Sequence, residues 1–229
     1  MIVFSDDKYS KRSHRAVIFD LDGVLTDTAE FHYQAWRRLA EEEGLSFGRS
    51  DNEQLRGVSR RASLELILGK QSLPEERMQE LMDRKNGYYR EQLKSITAKD
   101  VLPGALSLLN CLKERGVRLA LASASKNARD VLSRLKIAHY FEVVADGYSV
   151  EKTKPAPDLF IYAARKLSVK PACCIVVEDA EAGIEAAKAA GMAVVGIGPL
   201  SRTAGADLSC LSMADLNIEP LLSLFPGDC

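Results

Sequence analysis

Short apolar runs that alternate with amphipathic helical patterns place the strongest constraint on the fold of this chain. Five runs have the length and composition of buried strands, at 16–19, 118–122, 142–145, 174–177 and 193–197. Helical patterns separate the later runs, at 105–115, 128–135, 157–167 and 182–190. Strands joined by helices form right-handed crossovers and hence a parallel sheet. The sequence therefore predicts an α/β fold with a Rossmann-like parallel sheet as its core.

A helical insertion interrupts this alternation between the first two strand-like runs. Residues 28–99 contain no convincing strand and show only helical signals. One helix is expected to be capped by Asp27 or Thr28, and another is expected to begin at Pro74. We therefore expect a core domain of residues 1–27 and 103–229, with residues 28–102 forming an α-helical cap domain.

The charge balance and the hydropathy exclude several classes of partner. The chain has 229 residues, 46% of them apolar, and a formal net charge of −1 at pH 7. Without a basic excess, neither nucleic acid nor an anionic membrane surface is an expected partner. No apolar run reaches the length of a membrane span. The polar segment through Arg15 lacks the apolar core of a secretory signal, so we expect a flexible lead-in on a cytoplasmic protein.

The five cysteines show no CxxC pair and no spacing typical of a zinc site. They stand at positions 111, 173, 174, 210 and 229. Cys173 and Cys174 lie at the start of an apolar strand run, so we expect buried free thiols there. Free thiols agree with the reducing conditions of the cytoplasm.

Two aspartates directly follow the first strand-like run. Asp20 and Asp22 stand in the segment Asp-Leu-Asp-Gly-Val after the apolar residues 16–19. Because side chains repeat every two residues in extended chain, both carboxylates leave the strand end near one another. A divalent cation relieves their repulsion, and one carboxylate can then attack an electrophile while the other transfers protons. For this pair alone, a polar turn after a strand is the alternative interpretation.

Further polar residues are expected at the same edge of the sheet. Ser123 and the pair Glu178-Asp179 each follow a strand-like run, and Lys154 lies in a loop before a predicted helix. In open α/β sheets, ligands bind beyond the carboxyl ends of the strands. Taken singly, Ser123 could be a helix cap, Glu178-Asp179 could be the first-turn acids of a helix, and Lys154 could be a solvated loop charge. Their joint convergence with Asp20 favours a catalytic site.

These motifs, in this order, resemble those of the haloacid dehalogenase superfamily of aspartate-nucleophile phosphotransferases. The resemblance covers about residues 16–198 and implies the class that carries an α-helical cap after the first strand. It implies that Asp20 attacks phosphorus to form a phosphoaspartate, while Asp22 donates and accepts protons. Ser123 would bind phosphate oxygens, and Lys154 would supply positive charge.

The same resemblance implies a Mg²⁺ site at the strand ends. Its ligands would be Asp20, the backbone carbonyl of Asp22, Glu178 and Asp179. These are the hard oxygen ligands that Mg²⁺ prefers. The cation would offset the repulsion between a phosphate dianion and the carboxylates.

Narrower segments resemble the β-phosphoglucomutase family within that superfamily. They are residues 20–32, 52–60, 84–86 and 122–127. The resemblance implies substrate binding by Thr28, His32, Trp36, Arg56, Gly57, Val58, Ser59, Arg60, Ser63, Lys85, Ser123, Ala124, Ser125, Lys126, Asn127 and Lys154. One residue departs from the pattern, because Arg56 stands where a lysine is expected, and arginine differs from lysine in reach and hydrogen-bond geometry.

The residue types themselves suggest two phosphate anchors. Arg60 can hold a phosphate bidentately, and residues 125–127 supply donors where a helix is predicted to begin. Together with Asp20, these groups suit a sugar that carries two phosphates. Trp36 could cover a sugar face or fill the cap core, and His32 could order Asp22, bind substrate or lie on the helix surface.

The family resemblance implies interconversion of β-D-glucose 1-phosphate and glucose 6-phosphate, with β-D-glucose 1,6-bisphosphate as activator and intermediate. A sugar-phosphate phosphatase shares every core residue and differs in that water accepts the phosphoryl group. A catalytically inactive sugar-phosphate sensor is an alternative from another class, and the intact catalytic residues argue against it. Sugar phosphates are the expected partners, and the protein is expected to be a monomer.

Overall fold

The computed structural model describes residues 14–229, so almost all of the predicted lead-in through Arg15 lies outside the described residues. The strands are β1 Ala16–Phe19, β2 Arg118–Ala122, β3 Val143–Ala145, β4 Cys174–Glu178, β5 Ala193–Ile197 and β6 Leu208–Cys210. All pair in parallel, in the order β3-β2-β1-β4-β5-β6. The predicted parallel α/β sheet is confirmed, and β6 adds an edge strand that the sequence analysis does not predict.

Helices surround this sheet and form the insertion between β1 and β2. The insertion contains α1 Ala29–Glu42, α2 Arg49–Glu53, α3 Arg60–Leu68 and α4 Glu75–Leu93. The later helices are α5 Ala105–Glu114, α6 Ala128–Leu135, α7 Asp158–Leu167, α8 Glu181–Ala189, α9 Leu200–Thr203 and α10 Ile218–Leu222. In the part of the chain from residue 14 onward, no helix combines the length and the hydropathy that crossing a membrane requires.

The register of the sheet brings the ends of its central strands to one level. Phe19 of β1 pairs with Leu121 of β2 on one side and with Val177 of β4 on the other. The chain thus leaves β1 toward one neighbour and later returns to its other side. Ligand sites in open α/β sheets form at such a switch point, beyond the carboxyl ends of the strands.

Both faces of the sheet are covered by apolar side chains. Val17 and Phe19 of β1 belong to the apolar cluster on one face, whereas Ala16 and Ile18 belong to the cluster on the other. All four residues are fully buried. This explains why the strands read as continuous apolar runs rather than as alternating patterns.

The helical insertion, hereafter the cap, has an apolar core of its own. Its cluster consists of Trp36, Leu39, Leu64, Leu68, Met78, Leu81 and Met82. Helix α4 contributes to this cluster through its first half, while Tyr89 and Leu93 in its second half join the cluster of the sheet. The middle of α4 therefore lies where the cap meets the core, and the residues there can face a cleft between them.

The start of α1 differs in part from the expected capping. Asp27 accepts a hydrogen bond from the backbone N–H of Ala29 at 3.0 Å, as a capping residue would. The neighbouring Thr28 makes no side-chain cap and turns its hydroxyl toward Asp22 instead. The hydroxyl of Thr28 is therefore available to the site at the end of β1.

The structure contradicts the prediction of a free thiol at Cys173. Cys173 forms a disulfide with Cys229, 56 residues later, whereas Cys174 is buried and free as predicted. The chain after β5 folds back toward the start of β4, and its short elements gave no signal from which this return could be inferred. Because Cys173 is in a disulfide, it gives no support to the expectation of a reducing compartment.

Candidate active site

A buried lysine bridges two carboxylates at the ends of β1 and β4. Lys154 Nζ lies 2.5 Å from Asp20 Oδ1 and 2.9 Å from Glu178 Oε2. All three side chains are almost completely buried. Burial disfavours the ammonium, but the charges of Asp20 and Glu178 outweigh it and raise the pKa of Lys154. Lys154 is therefore a fixed positive charge beside Asp20.

Three carboxylates form a compact cluster around this lysine. Oxygens of Asp20, Glu178 and Asp179 all lie within 4.8 Å of one another. Burial, followed by the charge of Asp20, raises the pKa of Glu178 well above its usual value and that of Asp179 to about 7. Burial is the larger cause of these pKa shifts, and repulsion between the carboxylates adds to it.

The donor set of this cluster suits a divalent cation. Within residues 14–229, Glu178 Oε1 is buried without a hydrogen-bond partner. Space beside it depends on Gly183, where an added Cβ atom would lie 2.3 Å from the same oxygen. An unpartnered buried carboxylate oxygen among hard oxygen ligands fits Mg²⁺, which would supply the missing positive charge.

Asp22 is held in place by a chain of hydroxyl groups. Thr28 Oγ1 donates a hydrogen bond to Asp22 Oδ1, and Tyr89 donates from its hydroxyl to Thr28 Oγ1 at 3.2 Å. Desolvation and the charge of Asp20 raise the pKa of Asp22 to about 7. A carboxyl group with this pKa can both donate and accept a proton near neutral pH.

His32 and Lys85 form a polar pair on the cap side of the site. Lys85 Nζ lies 2.7 Å from His32 Nδ1, and it stands 4.7 Å from the ring centroid of Trp36 and 5.0 Å from that of Tyr89. Burial, with the neighbouring charge of Arg60, lowers the pKa of Lys85 well below its usual value. His32 is thus a partnered, half-buried histidine rather than a surface one.

Trp36 fills the cap core, which is one of its two expected interpretations, and its predicted contact with a sugar stays a prediction. It belongs to the apolar cluster of the cap and is only 2% exposed, yet it also lines the cleft toward the core. The ring therefore stabilises the cap and also forms part of the cleft wall.

A second polar group lies between the cap and the start of α6. Arg60 Nη2 donates to Asn86 Oδ1 at 2.8 Å, and Asn127 Nδ2 donates to the same oxygen at 2.9 Å. The loop before α6 is ordered by hydrogen bonds from the backbone N–H of Ser125 to Ser123 Oγ and from that of Asn127 to Ser125 Oγ. The predicted anchor residues of the cap and of the core thus come together.

One cavity of about 380 Å³ connects these groups. Most predicted residues line it: Asp20, Asp22, His32, Trp36, Arg56, Gly57, Val58, Ser59, Arg60, Ser63, Lys85, Ser123, Ala124, Ser125, Lys126, Asn127 and Asp179. Three predicted residues do not line it and are buried, namely Thr28, Lys154 and Glu178. They can act on the cavity only through Asp22, Asp20 and the cation site.

The cap approaches the core closely at Gly57. This residue has φ +73°, a conformation that favours glycine, and an added Cβ atom would lie 3.1 Å from Ala180 Cβ. Nearby, Arg56 Nη1 donates to Asp179 Oδ2 at 3.2 Å. The cap thus contacts the core beside the carboxylate cluster.

Sequence reasoning missed several residues at the site, among them Asn86, Tyr89 and Arg202. Asn86 lies in the segment 84–86 that resembles the β-phosphoglucomutase family, but no pattern identified its side chain as a bridge. Arg202 of α9 donates to Asp179 Oδ2 at 3.2 Å. It lies beyond the motifs, so no sequence signal could have found it.

The comparisons with known proteins agree with this geometry. Residues 14–191 match the family model described as haloacid dehalogenase-like hydrolase. A β-phosphoglucomutase of Bacillus subtilis is 46% identical over 211 residues, which cover 90% of this chain and 93% of the relative. A phosphorylated carbohydrates phosphatase of Thermotoga maritima is 34% identical over 77% of this chain and 82% of its own.

A solved structure also matches the whole architecture. The crystal structure of a β-phosphoglucomutase from Clostridium difficile superposes with a TM-score of 0.89 at 41% identity, covering 92% of this chain and 96% of that one. The agreement extends over the sheet and the cap alike. By sequence and by structure, the chain belongs to the haloacid dehalogenase-like hydrolases.

Proposed function

We propose that this protein is a β-phosphoglucomutase. It would interconvert β-D-glucose 1-phosphate and glucose 6-phosphate through β-D-glucose 1,6-bisphosphate. The observation that carries the proposal is that one cavity is lined both by Asp20, beside its proposed cation site, and by Arg60 with Asn127, so that it would hold an anion at two ends. A sugar with two phosphates needs both ends. The relatives named β-phosphoglucomutase support the same activity.

The residues of the core have distinct roles in this reaction. Asp20 attacks phosphorus, the bond from phosphorus to the substrate oxygen breaks, and a phosphoaspartate forms. Asp22 gives a proton to the departing oxygen and takes one from the hydroxyl that later attacks the phosphoaspartate. Ser123 donates to phosphate oxygens, and Lys154 holds Asp20 in position and offsets the developing charge.

Mg²⁺ is the cofactor that we propose for the carboxylate cluster. Asp20, Glu178 and Asp179 would hold it, together with the backbone carbonyl of Asp22. When bound, the ion would neutralise negative charge between phosphate and carboxylates. The bisphosphate would serve as the activator that first phosphorylates Asp20.

The cap residues decide which acceptor receives the phosphoryl group. When the cap lies against the core, water is excluded from the phosphoaspartate and a sugar hydroxyl takes its place. Gly57 permits this close contact, and Arg60 would hold the phosphate that is not being transferred. We also propose a monomer in the cytoplasm with small sugar phosphates as its partners.

A sugar-phosphate phosphatase is the second candidate. The Thermotoga relative named as a phosphorylated carbohydrates phosphatase favours it, because the core machinery of the two activities is the same. The reactions differ in the acceptor of the phosphoryl group, which is water in the phosphatase. The Arg60 end of the cavity has a clear use in a mutase and none in the hydrolysis of a simple ester.

Trapping the phosphoenzyme tests the proposal. Protein mixed with β-D-glucose 1,6-bisphosphate and quenched in acid should carry one phosphoryl group on Asp20, detected by peptide mass spectrometry. Asp20→Asn should carry none and form no glucose 6-phosphate, while Asp22→Asn should lose about 10²–10⁴-fold in turnover. Absence of phosphoenzyme in the wild type, or turnover by Asp20→Asn, would overturn the proposal.

A further inference from the structure

Asn86 joins the cap to the core by accepting two hydrogen bonds on one oxygen. Its side-chain oxygen accepts from Arg60 of α3 at 2.8 Å and from Asn127, just before α6, at 2.9 Å. Both lone-pair directions of that oxygen are therefore in use. Asn86 itself lies in α4, in the part of the helix that faces the cleft.

Arg60 differs from most arginines of the cap in the charge of its partner, and unlike the exposed Arg90, which also forms no ion pair among the described residues, it lines the cavity. Its neighbours are neutralised by carboxylates: Arg49 pairs with Glu30, Arg61 with Glu75 and Arg84 with Glu42. In the part of the chain that the structure describes, Arg60 forms no such ion pair and bonds to the neutral amide of Asn86. Its positive charge is consequently left for an anion.

The partly buried position of Arg60 strengthens the interaction of its charge with an anion in the cavity. The guanidinium lies in the cavity wall, and burial lowers the pKa of Arg60. A partly desolvated cation without a counter-ion interacts strongly with an anion that enters the same cavity. Ser125 and Lys126, which directly precede Asn127 in the chain, also line the cavity, so an anion beside Asn127 would meet several donors.

We propose that Asn86 is a positioning residue that holds Arg60 and Asn127 ready for the phosphate remote from Asp20, and does so without neutralising Arg60. The inference rests on the proposed function, because that function supplies a ligand with a second phosphate. It adds a reason for an amide at this position: an isosteric carboxylate would keep the hydrogen bonds but pair with Arg60 and repel the phosphate.

Whether Asn86→Asp or Asn86→Ala weakens binding more distinguishes this role from a merely structural one. If Asn86 only connected the cap to the core, Asn86→Asp would be milder than Asn86→Ala, because aspartate keeps the shape and the accepting oxygen. If the neutral charge matters, Asn86→Asp is the more damaging change. We expect a loss of affinity of about ten- to a hundredfold for the aspartate variant and a smaller one for alanine.

Isothermal titration of β-D-glucose 1,6-bisphosphate with Mg²⁺ measures this affinity, in an Asp20→Asn background that prevents transfer. Asn110→Asp is the matched control, since it adds the same charge on the exposed side of α5. Aspartate at 86 binding as tightly as alanine, or an equal loss in the control, would overturn the proposal. Failure of the background protein to bind the bisphosphate would overturn it as well.

Two further measurements keep the test informative. If Asn86→Asp does not fold, Asn86→Ser, which keeps a neutral acceptor, should bind the bisphosphate more tightly than Asn86→Ala, and equal losses would overturn the proposal. With Asp20 intact, formation of glucose 6-phosphate by the wild type tests the proposed function separately. The wild type could show no mutase turnover while Asn86→Asp still weakens bisphosphate binding. That outcome would refute the proposed function and support the inference.

Discussion

Arg56 of the cap donates a hydrogen bond to Asp179 of the core across 3.2 Å. The same carboxylate oxygen accepts from Arg202, also at 3.2 Å, and Glu53 shares the Arg56 guanidinium at 3.0 Å. A lysine is the expected residue at position 56, and its ammonium would lack the planar guanidinium that here reaches both carboxylates through separate nitrogens. The arginine that departs from the family pattern thus makes a cap-to-core contact with a proposed Mg²⁺ ligand.

Arg56→Gln should increase the affinity of the protein for Mg²⁺. Arg56 and the cation both interact favourably with Asp179, so removing the arginine removes a competitor. A partly exposed ion pair of this kind is worth about 1 kcal/mol, which corresponds to about a fivefold lower Kd. Calorimetric titration with Mg²⁺ measures the change, and Arg49→Gln on the exposed side of the cap is the control. Weaker binding in Arg56→Gln would show that the arginine assists the cation.

Lys154→Met should destabilise the protein when Mg²⁺ is absent. Its removal leaves Asp20 and Glu178 buried without a positive partner. Breaking a buried pair in this way costs about 3–5 kcal/mol in the free energy of unfolding. Urea denaturation in the presence of a chelator measures it, and Lys152→Met, an exposed residue of the same loop, is the control. A loss below about 1 kcal/mol would contradict the buried-pair interpretation.

Because His32 is held in its neutral form, the free energy of unfolding should decrease as the pH falls. Burial, together with the charges of Lys85 and Arg60, lowers the pKa of His32 well below its usual 6.5. The folded protein therefore keeps this histidine neutral, while the unfolded chain binds a proton below about pH 6.5. Because the unfolded state then binds more protons, stability rises with pH and is lost on acidification.

His32→Gln removes this contribution. Between about pH 7 and about pH 5.5, the wild type should lose about 1 kcal/mol more unfolding free energy than the variant. Urea denaturation at both pH values gives the difference. His139→Gln, at an exposed position, should behave like the wild type. Equal pH slopes for the wild type and His32→Gln would refute the assignment.

The disulfide between Cys173 and Cys229 should stabilise the oxidised protein. Thiol labelling of denatured, unreduced protein should find three free cysteines, at 111, 174 and 210. Cys229→Ser should lose about 2–4 kcal/mol of unfolding free energy, because the bond closes a long loop in the unfolded chain. Reductant should bring the wild type to the level of this variant, while Cys210→Ser serves as control. Five labelled thiols would contradict the disulfide.

Local patterns were sufficient to predict the central elements of the sheet. The observed β1 Ala16–Phe19 and β2 Arg118–Ala122 have the predicted bounds, because strands buried on both faces are continuous apolar runs. The edge strand β6 Leu208–Cys210 was not predictable in this way. It has three half-buried residues and pairs only with β5, so it needs no apolar run.

The site was predictable where its residues follow strands and much less so where the cap meets the core. Asp20 and Asp179 could be predicted from the ends of apolar runs. The bridge of Asn86 and the contact of Arg202 with Asp179 depend on how separate helices pack, which no spacing in the sequence encodes. The pairing of Cys173 with Cys229 likewise depends on the path of the carboxyl-terminal segment.

The fate of the phosphoryl group tests the central claim most directly. Purified protein with Mg²⁺, β-D-glucose 1-phosphate and a trace of β-D-glucose 1,6-bisphosphate would be followed by phosphorus NMR, which separates the sugar phosphates from inorganic phosphate. The account predicts that glucose 6-phosphate accumulates and that inorganic phosphate stays a minor product. Release of inorganic phosphate in step with substrate loss, without glucose 6-phosphate, would contradict it and identify a phosphatase.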